Sequence, residues 1–259
     1  MQMLKLHDVW KAYGAPARVG VKELLVGKSN VTDRKFLRKW ALEDINFSLD
    51  AGQSLGIVGL NGTGKSTLLS VMLGTLLVDR GSIVRRGRIG AMLELGSGFH
   101  PDLTGRENVF LNASILGVRI REVRAKFDSI LEFCELGAAI EQPLRTYSSG
   151  MSARLAFAVL AHTHSDVLLI DEVLAVGDAS FQRKCVDFLA AYTASGGALV
   201  IVSHNTEALK KMCHEGICLG EGRILAHGPI HTILDCYAKI CDAGLKEAGK
   251  DVGKDVEAS

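Results

Sequence analysis

The sequence predicts an α/β fold built on a mainly parallel core sheet. Three apolar runs carry that prediction: Ser54-Leu-Gly-Ile-Val58, Val167-Leu-Leu-Ile170 and Ala198-Leu-Val-Ile-Val202. Each is continuous rather than alternating, the pattern of strands covered on both faces. Each also ends at a polar motif: a glycine-rich loop from Gly59, the pair Asp171-Glu172, and Ser203-His204. Ligands of open α/β sheets sit off the carboxyl ends of the strands, so these motifs are expected at one shared site.

Composition agrees with a folded chain. Its 259 residues are 47% hydrophobic and 23% charged, ample for a buried core. Lys plus Arg total 30 against 29 Asp plus Glu, and the net charge of +1 exerts no global pull toward nucleic acid or an acidic partner. A mean hydropathy of +0.19 raises the question of a membrane span. The longest stretch without Asp, Glu, Lys or Arg, Phe188 to Thr206, is broken by Ser195-Gly196-Gly197 and reads as a helix end, a turn and a strand. The start at Met1-Gln-Met-Leu lacks the apolar stretch of a secretory leader. The six cysteines, at 134, 185, 213, 218, 236 and 241, are expected as reduced cytosolic thiols.

Taken in order, Leu4 to Tyr13 and Leu42 to Leu49 are expected as antiparallel strands ahead of the glycine loop. Between them, at 18–40, lies a basic insertion; Arg18 to Lys39 holds seven cations against two acids. Ser66 to Leu77 is expected as the helix after the loop. A helical subdomain follows over about 95–164, with helical spacing in Arg106–Leu116 and Arg121–Cys134 and an Ala-rich helix at Ser152–Ala161. Ile217 to Ala226 predicts a hairpin turning at Glu221-Gly222, and Ile230 to Cys241 a closing helix. One domain over 1–240 then leaves 241–259, where Gly-Lys-Asp-Val repeats at 249–252 and 253–256, as a disordered tail.

The chemistry concentrates at Gly59-Leu-Asn61-Gly62-Thr63-Gly64-Lys65-Ser66-Thr67, a full G-x-x-x-x-G-K-[ST] match between a buried strand and a helix. Glycines let the backbone curl so that successive N–H groups point at phosphate oxygens, and the helix N-terminus adds its positive end. Lys65 is expected to reach the β- and γ-phosphates, and Ser66 to offer a hydroxyl to Mg²⁺. Asp171, at the end of a second buried strand, fits the carboxylate that orients Mg²⁺. Glu172 fits a general base for an attacking water. His204, ending a third strand, fits a sensor of the γ-phosphate.

This motif set resembles the ATP-binding-cassette ATPases. Tyr147-Ser148-Ser149-Gly150-Met151, before the Ala-rich helix and upstream of Asp171, is similar to that family's signature loop. The resemblance covers about Leu4 to Tyr237. It implies a P-loop NTPase cassette fold with a mainly parallel core sheet, an antiparallel β subdomain and a helical subdomain. It also implies a head-to-tail homodimer that sandwiches ATP and Mg²⁺, with Ser148, Ser149 and Gly150 meeting the γ-phosphate in trans. Asp178, in Ala175-Val-Gly-Asp178, matches the loop that crosses the dimer interface, and Tyr13 is the candidate to stack on adenine. Glu94 stands where the family usually has Gln; as an ionised carboxylate it only accepts, and it remains a candidate ligand of Mg²⁺ or water.

The departures, with Thr104-Gly-Arg-Glu-Asn108 and the basic insertion, resemble the subfamily that exports polysaccharides: O-antigen, capsule and teichoic acid. That implies an integral membrane permease as partner, a lipid-linked polysaccharide as cargo, no nucleic acid, and a peripheral position on the cytoplasmic face of the inner membrane. The groove for the permease is expected near Glu94 to Asn108. A different exported substrate, a soluble cassette of translation or DNA repair, and a P-loop kinase are the competing readings. The pair Cys213 and Cys218 with His214, and Cys236 with Cys241, leaves a zinc site as an alternative to buried thiols.

Overall fold

A computed structural model describes residues 1–14, 39–93, 98–171 and 178–242. The basic insertion except for Lys39 and Trp40, the candidate residues Glu94 and Glu172, and the chain after 242 lie outside the described residues.

The core is a six-stranded sheet in the order β5-β6-β7-β3-β8-β9. It comprises β3 (Ser54–Val58), β5 (Ile89–Met92), β6 (Val167–Asp171), β7 (Ala198–Val202), β8 (Glu215–Gly220) and β9 (Arg223–Pro229). Every neighbouring pair is parallel except the hairpin β8-β9. The three apolar runs of the sequence are the adjacent strands β6, β7 and β3, almost wholly buried. Their side chains divide by parity. Val167, Leu169, Val200 and Leu55 enter a core shared with α1 (Lys65–Leu73) and with the antiparallel sheet of β1 (Gln2–Tyr13), β2 (Lys39–Asp50) and β4 (Arg80–Arg85). Leu168, Ile170, Leu199 and Ile201 enter a second core under α5 (Ala179–Ala194), α6 (Thr206–Met212) and α7 (230–242). A third core joins α2 (Gly105–Ile115), α3 (Ile120–Cys134) and α4 (Ser149–His162), the expected helical subdomain.

Four points differ from the expectations. Helix α1 stops at Leu73, not Leu77, because Gly74 turns left-handed at φ 94° and returns its N–H to the Ser70 carbonyl. Helix α4 begins at Ser149 rather than Ser152, since Ser148 caps it. Strands β4 and β5 escaped the sequence reading: β4 is an almost fully exposed edge with no apolar alternation, and β5 has only four residues. Helix α7 continues through 242, past the expected boundary at 240.

Cys213 and Cys218 are buried thiols, which burial pushes up to about 12 and about 11. Among the described residues no group of three or more His, Cys, Asp and Glu is placed to hold a metal. No described helix is long and apolar enough to cross a membrane.

Candidate functional site

Close packing dictates the glycines of the loop after β3. A Cβ on Gly59 would lie 2.3 Å from the Leu219 carbonyl oxygen, and one on Gly64 (φ +103°) would lie 2.4 Å from that of Ala41. The loop is thus pressed between the end of β8 and the start of β2. Gly62, at φ +79°, faces open space. Thr63 braces the turn by donating its hydroxyl to the Leu60 carbonyl at 2.8 Å. Lys65 is buried, and its ammonium donates to the carbonyls of Gly59 at 2.7 Å and Leu60 at 2.9 Å. No side chain caps the N-terminus of α1, and the positive end of the helix dipole lies at the loop.

Beside this loop lies a cleft of about 830 Å³. Tyr13, Asn61, Gly62, Gly64, Lys65, Ser66, Thr67, Asp171 and His204 all line it, so the structure brings these predicted residues together. Gly59 and Thr63 shape the loop without lining the cleft. The convergence follows from topology: Asp171 ends β6 in register with Val202 of β7, and His204 follows β7 directly.

Ser66 donates its hydroxyl to the Asp171 carboxylate at 3.3 Å. A hydroxyl and a carboxylate this close are hard oxygen donors of the kind Mg²⁺ takes. Tyr13 is half exposed, with its hydroxyl 3.5 Å from that of Thr67. The cleft is also lined by Trp40, Glu43 and Glu221, which sequence reasoning missed. Trp40 meets Trp10 edge-on at 5.3 Å, and the Arg80 guanidinium covers it at 5.5 Å. Its partner Trp10 and cation Arg80 lie far from it in sequence, so no local pattern flagged it.

The remaining candidates form a second constellation. Ser148 accepts from the Met151 N–H at 3.2 Å and so caps α4, whose first turn presents Ser149 and Gly150. None of the three lines the cleft of its own chain. Asp178 caps α5 by accepting from the N–H groups of Ser180 and Phe181, each at 3.0 Å, and from the Ser180 hydroxyl at 2.6 Å. The Ser180 hydroxyl, the Phe181 N–H and Arg154 hold its carboxyl down at about 2. Arg154, on α4, also pairs with Glu135 at 3.1 Å and lies over the Phe181 ring at 5.0 Å. The signature helix and the start of α5 are therefore tied through one guanidinium.

Tyr147 anchors the same loop from below, donating to the Ala139 carbonyl at 2.6 Å; burial pushes its phenol up to about 12. A Cβ on Gly105 would sit 2.2 Å from that phenol oxygen. Tyr147 of the signature-like loop and the Thr104-Gly-Arg-Glu-Asn108 motif are thus one packing unit.

An ABC transporter family model matches residues 42–175. The chain is 41% identical over 241 residues to the O-antigen export system ATP-binding protein RfbB of Klebsiella pneumoniae, covering 91% of this chain and 97% of that protein. It is 36% identical over 217 residues to the teichoic acids export ATP-binding protein TagH of Listeria monocytogenes, covering 84% of this chain and 63% of that protein. The fold matches a solved ATP-binding subunit of an ABC transporter with a TM-score of 0.72 at 20% identity, covering 91% of this chain and 93% of that one.

Proposed function

This chain belongs to the ABC transporter family, and from that premise we propose that it is the ATP-hydrolysing subunit of an exporter for a lipid-linked polysaccharide of the O-antigen, capsule or teichoic-acid kind. The observation that carries the catalytic part is the single cleft that gathers Lys65, Ser66, Asp171 and His204 at the carboxyl ends of β3, β6 and β7. The identity to the O-antigen export protein over nearly the whole chain supports the choice of cargo.

In this reading the loop N–H groups and Lys65 hold the β- and γ-phosphates of ATP, Lys65 turning from its own loop carbonyls to do so. Ser66 and Asp171 are the protein ligands for Mg²⁺, with Glu94 as a further ligand or water contact. A Mg²⁺ ion held by these residues would supply positive charge to offset that of the phosphates. Tyr13 stacks on adenine. Glu172 takes the proton of the attacking water, and His204 contacts the γ-phosphate.

Ser148, Ser149 and Gly150 act on the ATP of a second copy, and Asp178 lies at the junction between copies. The exposure of Ser148 and Ser149, away from their own cleft, supports that head-to-tail arrangement. An integral membrane permease supplies the path, with this subunit peripheral on the cytoplasmic face. A groove of about 760 Å³ lined from α1, β5, α2 and α4, with Leu93 and Asn112 flanking 94–108 and Ile115 62% exposed, is consistent with a docking surface beside that stretch.

The test is Glu172→Gln. It should retain ATP binding, lower turnover about 10²–10⁴-fold, and sediment as a dimer with ATP but not without it. Normal turnover would remove Glu172 as the base, and nucleotide-independent sedimentation would count against the sandwich. Lys65→Ala should weaken ATP binding itself.

A further inference from the structure

We propose that Lys39 is a further nucleotide-binding residue, whose ammonium meets the α-phosphate of ATP beside Tyr13. This deepens the reading of the cleft as an ATP site and rests on it.

Tyr13 ends β1, Lys39 begins β2, and the two are register partners of an antiparallel pair. Residues directly opposite each other on such strands project to the same side, with Cβ atoms about 4.5–5.5 Å apart. Lys39 is exposed, and it lines the cleft together with Tyr13. The Tyr13 hydroxyl lies 3.5 Å from that of Thr67, in the first turn of α1. The rung therefore stands beside the start of the helix that follows the phosphate loop. ATP runs in the order base, ribose, α-, β- and γ-phosphate. With Tyr13 on the base and Lys65 on the β- and γ-phosphates, the charged group left between them is the α-phosphate.

The charges around the cleft point the same way. Among the described residues that line it, the lysines and arginines are Lys39 and Lys65. Lys65 is buried at the loop. The acids on the other part of the wall are Glu43 and Glu221. Glu43 is engaged by Arg223, which donates to its carboxylate through Nε at 2.9 Å and through Nη2. Glu221 acts on the same guanidinium. These two acids thus draw on a cation outside the cleft, and the Lys39 charge is left for an anion inside it. A lysine suits that role, being a compact point charge on a flexible stem of four carbons.

The sequence alone counts Lys39 as the last cation of the basic insertion. Strand pairing with Tyr13 separates it from that run and sets it at the nucleotide. Two other roles would read out differently. A diffuse attraction across the cleft grows with the number of phosphates, because each adds charge. A contact with the ribose or base leaves the phosphorus atoms undisturbed.

The experiment is Lys39→Met in the full chain, which keeps the length of the stem and removes the charge. Calorimetric titration should show the Kd for ADP and for the non-hydrolysable β,γ-imido analogue of ATP rising by the same factor. That factor should be about 3–10-fold, between the effect of an exposed ion pair and that of a charge-assisted hydrogen bond. Lys39→Arg should stay within about twofold of the parent, since it keeps the charge. Phosphorus-31 NMR of bound ADP should show the α-phosphorus signal displaced in Lys39→Met and the β-phosphorus signal in place. Because the side chain is exposed, both variants should melt with the parent protein in the absence of nucleotide. Unchanged affinity, a loss larger for the triphosphate than for ADP, or an undisplaced α-phosphorus signal would overturn the proposal. A parent protein that binds neither nucleotide would instead overturn the ATP site itself.

Discussion

Asn108 shows how much of the candidate docking region hangs on one side chain. It is fully buried, its amide donates to the carbonyls of His100, Leu103 and Thr104, each at 3.0 Å, and its oxygen accepts from the His100 N–H at 2.7 Å. Asn108→Ala leaves these loop groups without their partner and should lower stability by about 1–3 kcal/mol in urea unfolding. Asn108→Asp should be worse, since it sets a carboxylate against three carbonyls; a variant as stable as the parent would contradict this account. Asp178 makes a different prediction. Its carboxyl is held at about 2, below the ordinary 3.8, so its contribution is fully present above the ordinary value and disappears as pH falls toward about 2. The stability difference between the parent and Asp178→Asn should therefore be flat at every pH above the ordinary value and narrow below it. A difference that changes across neutral pH would assign the effect to another group.

At the scale of elements, the start of α2 and the signature loop are built against each other. Thr104 accepts from the Glu107 N–H while Glu107 accepts from the Thr104 N–H, a capping box that satisfies two helix-end donors. Gly105 then passes directly beneath the Tyr147 hydroxyl. Gly105→Ala should cost about 1–3 kcal/mol by overpacking and disturb the signature loop while ATP binding by the P-loop stays unchanged. Adding Tyr147→Phe, which removes the clashing oxygen, should recover part of the thermal stability. If Gly105→Ala melts with the parent protein, or the double variant recovers nothing, the two motifs are not mechanically linked.

At the scale of the molecule, one parallel sheet gathers the phosphate loop, Asp171 and His204, while the antiparallel sheet supplies Tyr13 and Trp40 to the opposite wall. Tyr13 and Lys39 are register partners on β1 and β2 and both line the cleft, so the described strand ends on either side of the basic insertion lie at that wall. An anionic membrane surface or lipid-linked phosphate offers each cation near it about 1 kcal/mol. Neutralising Arg34, Lys35 and Arg38 together, while sparing Lys39 at the cleft, should reduce polymer export in cells and leave ATP hydrolysis by the purified protein nearly intact. Export at the normal level would leave those charges as a solvated run.

What was legible in the sequence was whatever short-range pattern encodes. The β3, β6 and β7 runs announced themselves by continuous apolarity, and the P-loop, Asp171 and His204 by following them directly, because a parallel sheet places every strand end on one side. The hairpin at Glu221-Gly222 and the helices of the middle subdomain were equally local. Only the tertiary structure decided the rest. Trp40 became part of the cleft through Trp10 and Arg80, Tyr147 gained its meaning from Gly105, Arg154 from Asp178 and Glu135, and Lys39 from Tyr13. Each of those pairings joins residues on separate elements, and neither hydrophobic period nor turn chemistry carries information about which side chains meet once the elements pack. β4 stayed hidden for the complementary reason: an exposed edge strand has no buried face to imprint an alternation on its sequence.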